Sequence, residues 1–478
     1  MSGSLDGLVS CVRRYSGAES PDYFIVTQDA SMRTRMLKSK LTLNLGEFAD
    51  VTVTEDTVEG FTPIENARGR KRLETRIEKT VSEMLKGTLY KTDNAKVDAI
   101  TEKIWKRLSE AMLLLARKLI MAAPIVIRFH NDIDGSSGAY ALYKSISWAV
   151  ETGGCLEYKP NIAWRMHGGV TYSREDATGD ILTCNNYESV EKPLLIILDF
   201  GTSEESNDGI ELIKKKFDVI WLDHHPLVEN FEGKVLEHYI NPWNFGGDSN
   251  YTAGFLSCVF AKTLTQLDTK EIEEAAFIGD YSEYSRPTAG SRKLAALLDL
   301  LTSDTRVISG LRGSLNPESV ESVLNDKSRS EELIAYAENR VSEMLDVAVR
   351  SVKIYKAGST QIYVADFEGI RINEQERYPL PGRFASKLLG RIEELNKTPC
   401  ILLLHFGNFV SVRMSKALTA RVDLLSVLES VRSDYSDYVE STGGHSNAAS
   451  IKMKSEEMKK EVIKLAVEKL KKELDSKR

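Results

Sequence analysis

Hydrophobic and polar positions change rhythm several times along the chain. Residues 1–65 are mixed and β-leaning, with "YFIVTQDA" and "FADVTVTEDTVEG" as expected strands. A charged stretch, "NARGRKRLETRIEKTVSEMLKG", then takes the helical period. A longer helix is expected from Asp93 to about Ala122, where Ile104, Leu108, Met112, Leu115 and Leu119 fall on one face before Pro124 ends it. From Pro124 to about Leu300 the runs "PIVIRF", "PLLIILDF" and "DVIWLD" alternate with helical stretches such as "SSGAYALYKSISWAV" and "SNDGIELIKKKF". Short continuous apolar runs between amphipathic helices predict an α/β domain built on a parallel sheet. Residues 300–355 read as helical. Strand-like runs return with "TQIYVADF" and "CILLLHFGNFVSVRM", before a glycine-rich "STGGHSNAAS" and a charged final helix striped by Met458, Val462, Leu465, Leu470 and Leu474.

The expected organisation is therefore a β-rich and helical N-terminal extension over 1–120 and an α/β domain over 121–300. A helical linker over 301–355 and a smaller α/β domain over 356–478 follow. At 478 residues, with 42% hydrophobic and 28% charged content, the chain is long enough for several cores. Its net charge of −7 excludes a chain that binds nucleic acid by overall charge, leaving local basic surfaces or metal ions for that role. The five cysteines are scattered, odd in number and without CxxC spacing, which disfavours zinc-finger and disulfide frameworks and points to a reducing compartment. Neither a signal-peptide pattern nor an apolar run of membrane-spanning length is seen, so a cytoplasmic location without membrane association is expected.

The chemistry concentrates where apolar runs end. "PIVIRFHNDIDG" ends with Asp132 and Asp134, "PLLIILDFG" with Asp199, "DVIWLDHH" with Asp223 and His224, and "AAFIGDY", read here as a fourth strand-like run, with Asp280. In an open parallel sheet such ends share one edge, where ligands bind. One such aspartate is ordinarily a turn former or helix cap. Several on one edge repel unless cations sit among them. Carboxylates with one or two imidazoles and no thiolate suit Mn2+ or Mg2+, and the histidines favour Mn2+. Two such ions bridged by a shared aspartate would form a phosphoryl-hydrolysis site.

The ordered set "HNDIDG", "LDFG", "LDHHP", "YTAG" and "IGD" resembles the DHH phosphoesterases, and "VSVRM" with "GGHSNAA" resembles their associated C-terminal domain. Within the family the likeness is to archaeal RecJ-like single-strand exonucleases, over roughly Ala123 to Ile451. The resemblance implies that Asp132, Asp134, Asp199, His224 and Asp280 are ligands of two Mn2+ ions, with Mg2+ or Co2+ as substitutes and with Asp199 and Asp280 shared. It implies that His225 faces the scissile phosphate. Asp223 stands in the wider ligand set but is expected chiefly to support the loop, and His130 is an extra candidate ligand on the face of Asp132. Arg413, Gly443, Gly444 and His445 are the implied phosphate-gripping positions. Ile133 and Ser450 depart from the family's usual small residues without removing a ligand.

The reading is a metal-dependent exonuclease hydrolysing single-stranded DNA or RNA from an end, in replication or repair. One alternative is a nano-oligonucleotide or cyclic-dinucleotide phosphodiesterase or a pyrophosphatase. Another is a scaffold bound to the replisome GINS complex. Polarity, sugar preference and oligomeric state stay open. For the N-terminal extension an OB-like module is the expected architecture, with Tyr23, Phe24, Phe48 and Phe61 read as core rather than as base-stacking residues.

Overall fold

The computed structural model describes every residue except 1–2, 19, 29–31, 65–66, 86, 304–314, 372–377, 446 and 477–478. The chain divides into two units, Met1–Lys327 and Ser328–Arg478.

The first unit opens with five strands, β1 (Gly3–Arg13), β2 (Asp22–Gln28), β3 (Met32–Ser39), β4 (Phe48–Thr54) and β5 (Thr57–Pro63). Antiparallel pairing joins β1 to β2, β2 to β3, β4 to β5 and β4 to β1, and a short parallel pairing of β3 with β5 closes the ring. Val9, Tyr23, Ile25, Leu37, Val51 and Val58 fill its interior. Two helices follow, α1 (Ala67–Met84) and α2 (Ala95–Ile120). Asn94 caps α2 by accepting from the Lys96 amide, and Ile104, Leu108, Met112, Leu115 and Leu119 are fully buried along it.

The central sheet is interleaved with helices in the order β6 (Ile125–His130), α3 (Ile133–Gly153), β7 (Leu156–Glu157), β8 (Ile162–His167), α4 (Arg174–Thr183), β9 (Tyr187–Ser189), β10 (Leu194–Leu198), α5 (Asn207–Ile213), β11 (Asp218–Leu222) and β12 (His238–Ile240). Its five strands run β12-β11-β10-β6-β8, all pairs parallel. The short β7 and β9 instead extend the N-terminal barrel, pairing with β3 and β1. Alternate residues of the sheet, including Val126, Leu195, Ile197 and Trp221, pack on α4 and α5. The opposite face is covered by α3 and by α6 (Ala253–Leu264), beside which lie α7 (Lys270–Gly279), α8 (Ala289–Ser303) and α9 (Pro317–Asn325). Burial on both faces explains the unbroken apolar runs. Because β8 lies on one side of β6 and β10 on the other, successive connections leave β6 in opposite directions. The ends of β6 and β10 therefore border the crevice where such sheets bind ligands.

The second unit holds α10 (Lys327–Ser351), β13 (Lys353–Ala357), β14 (Thr360–Asp366), α11 (Phe367–Ile370), α12 (Pro381–Asn396), β15 (Cys400–Phe406), β16 (Phe409–Met414), α13 (Leu424–Asp434), β17 (Val439–His445), β18 (Ala448–Met453) and α14 (Lys459–Ser476). Its sheet runs β13-β14-β15-β16-β18-β17, and only β14 and β15 pair in parallel. One face packs on α13 and α14, the other on α11, α12 and the end of α10. The segment expected as a linker over 301–355 is thus shared. Glu321 of α9 bonds Tyr140 and Lys144 in the first unit, whereas Met344 and Ala348 of α10 enter the core of the second. Residues 304–314 of that segment lie outside the described residues.

Candidate metal centre

Seven side chains converge at the C-terminal edge of the central sheet: His130, Asp132, Asp134, Asp199, His224, His225 and Asp280. Asp132 caps α3, its Oδ1 accepting from the Gly135 amide at 2.9 Å while His130 Nδ1 lies 2.5 Å from Oδ2. A side chain at Gly135 would strike the His130 backbone, its Cβ lying 2.6 Å from the carbonyl oxygen, so the strand-to-helix turn needs glycine. Asp134, in the first turn of α3, is fully buried and accepts from the amides of Ala253 and Gly254 at 2.8 and 3.0 Å. Those amides open α6, so the helix N-terminus holds the carboxylate in place. Here "YTAG" acquires a physical role that sequence reading did not assign. Thr252 caps α6, and a Cβ at Gly254 would sit 2.7 Å from Asp134 Oδ1.

Asp199 follows β10 with φ 68, a left-handed conformation that costs most side chains energy and that aspartate and asparagine tolerate best. His224 follows β11. Its Nδ1 lies 2.8 Å from the Ser249 carbonyl, which assigns the ring proton to Nδ1 and points Nε2 toward the carboxylates. From Nε2 the distances are 3.0 Å to Asp280, 3.3 Å to Asp199 and 3.9 Å to Asp134. Asp280 comes from the C-terminal cap of α7. "EEAAFIG" is therefore the end of a helix, and the expectation of a fourth strand end is corrected. Its acidic residues Glu271, Glu273 and Glu274 near the helix start were the available signal.

Asp223 lies in none of the groups that could hold an ion. Its oxygens accept from Thr202 Oγ1 at 2.5 Å, the His224 amide at 2.8 Å and His225 Nδ1 at 2.7 Å. Its contacts are those of a support of the turn, the chief role expected for it. Asn241 and Trp243, which sequence reading missed, brace the same turn through the carbonyls of His225 and His224 at 3.0 and 3.1 Å.

The ligand atoms form three overlapping groups: His130–Asp132–Asp199, Asp199–His224–His225 and Asp134–His224–Asp280. Asp199 and His224 each join two groups, whereas Asp280, expected to be shared, enters one. Burial and the charges of Asp199 and Asp280 push the Asp134 carboxyl well above its ordinary range. Burial, then Asp132, push Asp199 upward. Burial works against charge on His224, but Asp280, Asp199 and Asp134 outweigh it and raise its pKa. The same contest, won by Asp132 and Asp199, raises His130. Asp199 Oδ2 and His224 Nε2 are buried with no hydrogen-bond partner among the described residues. Orphaned atoms in a nest of carboxylates are the fit that divalent cations require.

The second unit collects the other expected positions. Across β16, β18 and β17, Arg413 pairs with Ala448 and Ala448 with His445, so Arg413 and the His445 backbone share one register line. Arg413 donates to Ser386 Oγ at 3.0 Å and to the Gly382 carbonyl at 3.1 Å, which fixes its guanidinium against the start of α12. Gly444, at φ +129, meets the Ala448 backbone so closely that no Cβ fits, whereas a Cβ at Gly443 would project into open space. The side chain of His445 lies outside the described residues.

Comparison with known proteins bears on this geometry. Residues 124–279 match the DHH family, N-terminal domain. Residues 124–279 therefore carry a DHH-family N-terminal domain. That family is one of phosphoesterases, and the matched segment runs from the start of β6 to the residue before Asp280. The uncharacterized protein MJ1198 of Methanocaldococcus jannaschii is 28% identical over 203 residues, which is 38% of this chain and 26% of that protein. The match thus spans about a quarter of the relative's length. Among solved structures, "Member of s1p family of ribosomal proteins PF0399 DHH domain" superposes with a TM-score of 0.70 at 20% identity, covering 85% of this chain and 98% of that one. A structure of exonuclease RecJ bound to manganese gives a TM-score of 0.47 at 16% identity, covering 75% and 93%.

Proposed function

We propose that this DHH protein is a divalent-metal-dependent phosphodiesterase that degrades single-stranded DNA or RNA from an end. The observation that carries the reading is the orphaned pair Asp199 Oδ2 and His224 Nε2 among converging carboxylates. His130, Asp132 and Asp199 would hold one ion, and Asp134, His224 and Asp280 a second. Bound there, two Mn2+ or Mg2+ ions supply Lewis acidity that activates water and offsets charge on the phosphoryl oxygens.

The remaining roles belong to the chain itself. Asp223 orients His225 through Nδ1, and His225 is assigned to face a phosphoryl oxygen of the substrate. Burial lowers the His225 pKa, but the Asp223 charge overrides it and raises the pKa, which favours the protonated ring. Ser249 fixes the His224 ring, and the α6 amides fix Asp134. In the second unit, Arg413 and the Gly443–Gly444–His445 segment are assigned to strand phosphates. The open space at Gly443 supports close approach of a backbone amide to such a group.

The test is digestion of single-stranded DNA and RNA of about thirty nucleotides, labelled at either end, in Mn2+. Shortening from one end is expected, and His224→Ala should reduce it by a factor on the order of a thousand. Cleavage of dinucleotides alone would move the reading to the small-substrate alternative. Undiminished turnover in His224→Ala would overturn the metal site.

A further inference from the structure

The N-terminal barrel presents a contradiction. In five-stranded Greek-key barrels of the OB kind, oligonucleotides lie on the outer face of strands 2 and 3. Here that face is closed by the chain itself. Phe24 and Val26 of β2 are fully buried, and the Phe24 ring meets Tyr158 edge-on at 5.3 Å. Thr34 of β3 donates its hydroxyl to the Ile120 carbonyl at 2.6 Å, and its amide bonds Cys155. No base can stack on Phe24, Val26 or Thr34.

Beside it lies a different surface. A groove of about 450 Å³ runs between the end of β2, at Gln28, and α1, whose Arg68, Lys71, Arg72, Arg76 and Lys79 line it. Leu73, Ile77, Val81 and Met84 are buried on the other side of α1, so the basic residues form a stripe facing away from the core. Its span from residue 68 to residue 79 is about 16 Å, long enough to face several phosphates of one strand. Among the described residues no acidic side chain lines the groove, and Arg68, Lys71, Arg72 and Arg76 form no ion pair. The acidic residues Glu74 and Glu83 pair with Arg70 and Lys79 along the helix. The chain as a whole carries −7, so this is a local reversal of sign. Arginine predominates in the stripe, and its planar fork matches phosphate oxygens better than an ammonium does.

We propose that this groove binds the phosphate backbone of single-stranded nucleic acid without reading its sequence, at a site distinct from the metal centre. The proposal rests on the nuclease reading for its choice of polyanion. The whole protein, in EDTA to prevent cleavage, would be titrated into a labelled single strand of about thirty nucleotides at several salt concentrations. Arg68→Glu, Lys71→Glu and Arg72→Glu are combined in one variant, and all three side chains are exposed. Its affinity should fall at least about tenfold, and the slope of log affinity against log salt should flatten by about 2, at an unchanged melting temperature. The neutral combination Arg68→Gln, Lys71→Gln and Arg72→Gln should give the same flattening. Wild-type affinity and slope in both variants would overturn the proposal. So would displacement of the strand by poly-glutamate as readily as by unlabelled oligonucleotide, which would assign the groove to an acidic polypeptide. Hydrolysis by the wild-type protein in Mn2+ is scored separately, so failure of the nuclease reading leaves the binding result intact.

Discussion

Asp199 carries two burdens, a candidate ligand position and a left-handed backbone at φ 68. Substitutions there separate the two. Asp199→Asn keeps a side chain suited to that conformation, while Asp199→Ala adds about 1 kcal/mol of backbone strain. Both should abolish hydrolysis, but in metal-free protein only the alanine variant should unfold at lower denaturant. Equal stabilities would show that the strain is not real. Asp223 works through His225 instead. Its charge is the main upward influence on the His225 pKa, and a raised pKa keeps the ring protonated until pH climbs through it. Activity that needs the protonated ring is therefore lost on the alkaline side. Asp223→Asn should shift the alkaline limb of kcat/KM to lower pH, and a profile left in place would remove His225 from the role of donor. The aspartates and histidines of this site were legible in the sequence because they end apolar runs. Their braces were not, because the carbonyls of Ser249 and the amides of α6 are backbone groups common to every residue type.

At the scale of elements, strand ends and helix starts do most of the positioning. The strands β6, β10 and β11 could be read directly, since burial on both faces leaves runs of three to five consecutive apolar positions. The same signal misled at "AAFIG", where a short apolar run belongs to helix α7. The start of α6 is the element most exposed to a single change. Gly254 faces the Asp134 carbonyl at 2.6 Å and Ala276 Cβ at 2.7 Å from the position a Cβ would take. Gly254→Ala should therefore cost roughly 1–3 kcal/mol by overpacking. It should also displace Asp134, so Mn2+ affinity measured by calorimetry should fall as well. A variant that lost stability but bound Mn2+ as wild type would show that the α6 amides do not position the carboxylate.

At the scale of the molecule, an OB-like module was the expectation for the N-terminal extension, but the pairing that closes its barrel, two residue pairs between β3 and β5, is announced by no local pattern. The division at Lys327 was equally hidden, since α9 and α10 carry similar amphipathic patterns yet bury them in different cores. That division makes a prediction about metal binding. All the candidate ligands lie in the first unit, so Mn2+ should stabilise that unit alone, by about 2.7 kcal/mol at a hundredfold excess over Kd. A scanning calorimeter should then resolve one transition that rises with Mn2+ and one that does not. The proton balance fixes the pH dependence. Asp134, Asp199, His130 and His224 all have raised pKa values in the metal-free site, so protons compete there with an ion. Affinity should tighten as pH rises toward those values and weaken below them. Titrations in buffers of different ionisation enthalpy should show net proton release. Binding without proton release, or equal Mn2+ shifts of both transitions, would contradict a metal centre confined to the edge of the central sheet.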